Sequence, residues 1–209
     1  MNVLLIANPV QREELTAEIT SGDVDITYVE DLITPSINNF DFCIDLQFTN
    51  TVERKTELQK IKCPLYCINH VTGTLADLPA GFIRINGWNS LLGKKMIEAS
   101  TTNENARSDF EKLLLSLGKT VEWVPDVPGF ISCRVICQII NEAYFSLEEE
   151  VSTKDQIDIA MKLGTNYPHG PFEWSEIIGL DNVAELLSLL SKSNTRYQPS
   201  KLLLKESVE

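Results

Sequence analysis

DVPGFISCRVICQIINEAYFSLEEE, residues 126–150, continued by QIDIAMKLGTNYPHGPFEW, residues 156–174, and IIGLD, residues 177–181, decides the fold. Pro128-Gly129-Phe130 is read as a turn into a helix, because Gly bends freely and Pro suits a first helical turn. From Phe130, the residues Val135, Ile136, Ile139, Ile140, Ala143 and Leu147 recur at helical spacing over a stripe too broad for a lone surface helix. That helix is expected to lie between partners. Val151-Ser152 ends it, and Thr153-Lys154-Asp155-Gln156 reads as a capping box for a second helix. Gly164 is expected to stop the second helix. Tyr167 to Trp174 forms a rigid corner with two prolines before a third, short helix.

This stretch closely resembles the C-terminal helical domain of the 3-hydroxyacyl-CoA dehydrogenase family. There a PGF turn opens a long helix, an I-D-x-A-M-K-L-G helix follows, and a Y-P-x-G-P-F corner leads to G-L-D. The match runs over most of Asp126 to Asn182 and implies common ancestry, which by itself does not fix activity.

Outward from this stretch, composition narrows the classes. With 209 residues, 43% hydrophobic and 23% charged, the chain has the makings of one large or two small folded domains. A net charge of −12 without any Lys/Arg cluster repels phosphate backbones and anionic lipid, so nucleic acid and membrane surfaces are excluded as partners. The apolar opening Met1 to Ala7 has no basic flank and runs into Gln11-Arg12-Glu13-Glu14, so it reads as a buried strand rather than a signal peptide. No apolar run is long enough to cross a bilayer. Five cysteines without an export signal read as reduced thiols in the cytoplasm.

In chain order, strands are predicted at 3–7, 24–29, 41–46, 65–69, 81–85, 94–100 and 120–124, with helices at 13–20, 52–60 and 103–117. Strand, helix, strand in repetition is the rhythm of a parallel sheet. The expected architecture is an α/β Rossmann-like domain over residues 1–124 with a largely parallel sheet, then an all-α domain of the 6-phosphogluconate-dehydrogenase-like type over residues 125–209. The first part resembles the family's nicotinamide-binding domain, and the tail around Leu202-Leu203-Leu204 resembles its closing helix.

The resemblance implies NAD as cofactor and a definite set of site positions. A dinucleotide site needs glycines after the first strand, for a tight turn, for approach of backbone N–H groups to pyrophosphate and for helix packing. The aligned residues here are Ala7, Pro9 and Arg12. Pro9 removes a donor, and Glu13 and Glu14 are expected to set negative charge on the helix end that should attract an anion. Arg12 is a candidate phosphate partner, though its simplest reading is a solvated charge. Glu30 stands where a ribose-binding acid belongs. The short interval from Glu30 to Asp41 leaves no room for the family's helical excursion, which helps grip acyl-CoA. Asp45-Leu46-Gln47-Phe48-Thr49 also departs from the family's E-A-V-x-E.

Alcohol oxidation needs a base, usually a His oriented by a carboxylate. The family's H-F-F-N-P and K-L-V-E segments correspond to Asn86-Gly87-Trp88-Asn89 and Lys95-Met96-Ile97-Glu98. Glu98 matches the carboxylate, but the His position holds Asn86, which exchanges no proton near neutral pH. Thr72 or Thr74 corresponds to a family hydroxyl that donates to a carbonyl, and Cys133 replaces the Asn of P-G-F-I-x-N-R. His70, after the fourth strand on the rim where parallel sheets bind ligands, is the candidate for a relocated base. The pairs Cys63/Cys67 and Cys133/Cys137 read as core residues, so no metal is assigned.

The reading is a dehydrogenase-like protein with impaired or lost hydride transfer, dimeric through its helical domain, with a small acyl or nucleotide ligand in prospect. The broad faces Phe130–Leu147 and Leu186–Leu190 are expected to need a two-fold partner for cover. The alternatives are an oxidoreductase acting on a smaller substrate through His70, and a non-catalytic dimeric scaffold.

Overall fold

An unbroken apolar run makes a strand only where both of its faces are covered. Asn2–Ile6, β1, is such a strand: Val3 and Leu5 pack into one core cluster and Leu4 and Ile6 into another. The computed structural model describes residues 1–19, 22–32 and 39–208. It sets β1 in a seven-stranded sheet with β2 (Asp25–Val29), β3 (Phe42–Asp45), β4 (Leu65–Asn69), β5 (Ile83–Ile85), β6 (Met96–Ser100) and β7 (Thr120–Trp123). The order is β2-β1-β3-β4-β5-β6-β7, parallel throughout except for the antiparallel β5/β6 pair. Because β1 lies between β2 and β3, the winding reverses at its C-terminal end, the place where sheets of this kind take ligands.

Helices cover both faces. Leu15 of α1 (Pro9–Thr16) and Phe110, Leu113 and Leu114 of α3 (Glu104–Ser116) join Val3 and Leu5, while Leu58 of α2 (Val52–Lys60) joins Leu4 and Ile6. The helix expected at 13–20 thus starts earlier, at Pro9. Asn8 accepts from the backbone N–H of Gln11 and the Gln11 side chain accepts from that of Asn8, a reciprocal cap that with Pro9 in the first turn fixes the start. The expected end at Thr20 lies outside the described residues.

The chain divides into two compact units, Met1–Phe130 and Ile131–Glu209. Residues after Pro125 are still held by the first. Arg84 on β5, wholly buried, donates from Nε to Asp126 (2.9 Å) and from its terminal nitrogens to the carbonyls of His70 (3.0 Å) and Val127 (2.9 Å). Its guanidinium lies 4.1 Å from the centre of the Phe130 ring. The Gly129 N–H donates to the Val71 carbonyl at 2.7 Å.

The second unit is helical: α4 (Ser132–Glu148), α5 (Lys154–Thr165), α6 (Pro171–Ile178), α7 (Leu180–Ser191) and α8 (Lys201–Glu206). Several local expectations are corrected. Pro128 and Phe130 are not in the helix. Gly129 and Phe130 both have positive φ (86° and 48°), so the turn is completed before α4 begins at Ser132. Thr153 caps α5 through Gln156 N, but the Gln156 side chain accepts instead from the Ser152 hydroxyl, so the reciprocal half of the expected box is missing. Gly164 lies inside α5, and Asn166, left-handed at φ 58°, ends it.

Glu148, the last residue of α4, has a defined task. Its carboxylate accepts from the Ser200 hydroxyl (3.1 Å) and the Leu202 N–H (2.5 Å), neutralising the positive start of α8. Asp158 does the same for α6, accepting from Phe172 and Glu173 N–H at 2.8 and 3.1 Å. Leu186, Leu187 and Leu190 are already buried in a single copy, so that face needs no partner for cover. Among the described residues no helix is long and apolar enough to cross a membrane.

Candidate functional site

At the switch point the chain's own side chains bond across the strand ends. From the first turn of α1, the buried Gln11 donates through Nε2 to the carbonyls of Leu46, just past β3, and Gly87, just past β5, at 3.2 and 3.1 Å. Its Oε1 accepts from the Asn8 N–H (3.1 Å) and from Gln47 Nε2. Asn69, the last residue of β4, donates to the same Leu46 carbonyl (3.2 Å) and accepts from the Gly87 N–H (3.1 Å). Every amide in this cluster is therefore paired, as buried polar groups require.

Beside it, Arg54 of α2 makes a two-pronged contact with Asp45, Nε to Oδ2 and NH2 to Oδ1, both at 2.8 Å. Its third donor reaches Asp31, past the end of β2, at 3.0 Å. Asp45 is fully enclosed, and its burial raises its pKa against the pull of Arg54. Asp31 is exposed, with a pKa lowered first by the Leu32 N–H and then by Arg54.

The positions singled out from sequence fall as follows. Ala7 is buried, and Pro9 is the first residue of α1. Arg12 is exposed and lies 4.4 Å from the centre of the Tyr28 ring. Glu30 is exposed, and it is its neighbour Asp31 that is engaged, by Arg54. Glu13 and Glu14 do not burden the helix start, since the first turn of α1 has no acidic residue. Glu14 instead accepts from the N–H groups of Ser90 (2.8 and 3.0 Å) and Gly93 (3.2 Å), pinning the loop after β5.

Asn86 and Glu98 do meet. Both are buried, and Asn86 Nδ2 donates to Glu98 Oε2 at 2.9 Å. Thr72 is half-buried; the Thr74 hydroxyl and N–H both donate to Asp77 Oδ2, at 3.4 and 2.9 Å. His70 is not on an open rim. It is 8% exposed, its ring packs over Gly73 so closely that a Cβ there would lie 1.7 Å from Nε2, and Phe48 meets it edge-on. Among the described residues Nε2 has no hydrogen-bond partner, the Asp77 carboxylate being 3.7 Å away, and burial lowers its pKa. Cys133 belongs to the second unit, buried in the first turn of α4 with Cys137 one turn on.

These residues do not suit a dinucleotide. A helix start binds pyrophosphate through free backbone N–H groups. Here the donors of Asn8 and Gln11 are spent on each other's side chains and Pro9 has none. The Gln11 and Gln47 amides are bonded to each other, and Gln11 to the carbonyls just past β3 and β5. Sequence reading missed Gln11, Gln47, Asn69 and Arg54. The signal for the first was present, since Asn8-Pro9-Val10-Gln11 is a helix-capping pattern.

Comparison with known proteins agrees with the helical half. Residues 129–209 match the family model of the 3-hydroxyacyl-CoA dehydrogenase C-terminal domain. A probable 3-hydroxybutyryl-CoA dehydrogenase of Bacillus subtilis is 37% identical over 113 residues, 53% of this chain and 39% of that protein. The 3-hydroxybutyryl-CoA dehydrogenase of Bradyrhizobium diazoefficiens is 34% identical over 134 residues, 62% of this chain and 46% of that protein. The chain thus spans less than half the length of these relatives. In fold it is similar to the crystal structure of (S)-3-hydroxybutyryl-CoA dehydrogenase PaaH1 from Ralstonia eutropha, with a TM-score of 0.78 over 98% of this chain and 92% of that one at 20% identity. With the parallel sheet in front and the matched helices behind it in sequence, residues 129–209 match the 3-hydroxyacyl-CoA dehydrogenase C-terminal domain and the whole chain is similar in fold to such an enzyme.

Proposed function

We propose that this protein is a 3-hydroxyacyl-CoA dehydrogenase relative that has lost hydride transfer and acts as a dimeric, non-catalytic member of the family. The observation that carries the reading is the Asn86–Glu98 contact. Hydride can leave a secondary alcohol only as the hydroxyl proton is taken up. At the position of the family's base stands an amide that donates to the carboxylate and accepts no proton near neutral pH. The closed helix start at Asn8 and Gln11 supports the same reading from the cofactor side.

The test uses the chemistry named in the relatives. Purified protein is mixed with NADH and acetoacetyl-CoA, and in the reverse direction with NAD and 3-hydroxybutyryl-CoA, and nicotinamide absorbance is followed. No turnover above the protein-free control is expected. A rate on the order of 1 s⁻¹, ordinary for an enzyme, would sink the proposal.

Dimerisation is supported by apolar side chains that one copy leaves in water. Val135 on α4 is 55% exposed, and Ile159 and Leu163, four residues apart on α5, are 53% and 83% exposed. Light scattering on the eluted protein should give twice the chain mass, and Leu163→Glu should shift it towards one. A single-chain mass for the unaltered protein would remove the dimer from the reading.

A further inference from the structure

We infer that the first unit carries a built-in substitute for its dinucleotide: one continuous hydrogen-bonded strap of its own side chains and main-chain groups laid across the sheet's C-terminal edge. The inference rests on the loss of hydride transfer argued above and extends it from chemistry to binding. The sheet order carries the argument. Asp31 follows β2 and Asp45 ends β3, and these two strands flank β1. A guanidinium that reaches both carboxylates therefore bridges the end of β1, and Arg54 reaches both.

The strap does not stop there. Asp45 Oδ1 also accepts from the Gln47 N–H at 3.0 Å, and the Gln47 side chain donates to Gln11. Gln11 continues to Leu46 and Gly87, and Gly87 to Asn69 on β4. The line of contacts thus runs Asp31, Arg54, Asp45, Gln47, Gln11, Gly87, Asn69, from the β2 side of the switch point to the β5 side. That is the crossing a dinucleotide makes over a sheet of this type. Its ionic part, one guanidinium between two carboxylates, has net charge −1, so it repels phosphate even where it could be wetted.

A strap of this kind makes the strand ends rigid without a ligand, which suits a scaffold. Removing Arg54 leaves Asp45 enclosed without its counter-ion, and removing Gln11 takes the side-chain donor from the Gly87 carbonyl and leaves the Leu46 carbonyl with Asn69.

The experiment is thermal unfolding of the full chain, alone and with millimolar NAD, NADH or ADP. The unaltered protein is expected to show no rise in Tm with any of the three. Arg54→Met should lower Tm by about 5–15 °C and Gln11→Ala by about 3–8 °C. The double variant should lose less than the two losses added, because both cut one network. Additive losses would overturn the continuity of the strap. A rise in Tm with a dinucleotide, without turnover, would overturn the inference yet leave the loss of hydride transfer standing; turnover would end both. If the variants do not fold, amide hydrogen exchange on the unaltered protein decides. Slow exchange at residues 10–15 and 46–47, unchanged by NAD, is expected, and rapid exchange there would refute the strap.

Discussion

Replacing Arg84 by Met is expected to destabilise the first unit by about 3 kcal/mol, the low end of what breaking a buried ion pair costs. The guanidinium serves one carboxylate and two carbonyls, and it stacks on Phe130. Met would keep the apolar stem and some contact with the ring, but supplies no donor. The loss is moderated because the Asp126 side chain is 29% exposed and can be rewetted, and it still accepts from the Leu75 N–H at 2.8 Å. The carbonyl of His70 sits in a buried residue and has less recourse to water. Arg84→Lys should recover only part, since a single ammonium cannot reproduce a planar fork with three separate partners. Denaturant unfolding measures the difference; a change below about 1 kcal/mol would show that residues 126–130 are held to β5 by something other than this cation.

Asn86→His is expected to restore nothing measurable. An imidazole at this position would face Glu98 much as the amide does, and a well-placed base contributes about 10²–10⁴-fold to such a reaction. That factor multiplies a rate only if the cofactor is in place, and the substitution leaves Asn8, Pro9 and Gln11 as they are. The larger ring must also enter a site where Asn86 is 3% exposed, at a cost of about 1–3 kcal/mol from overpacking. Stopped-flow nicotinamide absorbance with acetoacetyl-CoA is the measurement. Turnover in the variant, absent from the parent, would mean that the helix start of α1 admits a pyrophosphate after all.

The two halves differed in how plainly their sequences spoke. The helical half was legible because the turns at its start and within it carry residues with strong local roles: Gly129, free to take positive φ, and Thr153, capping α5. The strands were legible because those buried on both faces have no polar alternation to confuse, as in Val3 to Ile6. What remained hidden were long-range partners. Glu14 looked like a charge at a helix start and proved to be an acceptor for Ser90 and Gly93, 76 and 79 positions away. His70 looked like a rim residue because it follows a strand, but Gly73 lets the chain fold under its ring. Nothing in residues 52–60 singles out Arg54, and only the register of β2, β1 and β3 gives it two carboxylates to join. Pattern in sequence reports local conformation; who answers a side chain across the sheet is settled by topology.

The antiparallel pairing of β6 with β5 bears on how a reaction can be lost without loss of form. The ladder sets Ile85 opposite Ala99, and the Asn86 N–H donates to the Glu98 carbonyl at 3.0 Å. Positions 86 and 98 are therefore neighbours because main-chain atoms bind there, whatever side chains they bear. An ancestor could exchange an imidazole for an amide at the first position in a single step and disturb no other atom of the backbone. On the proposed reading, two strands lying side by side would keep that alignment whether or not it carries a proton.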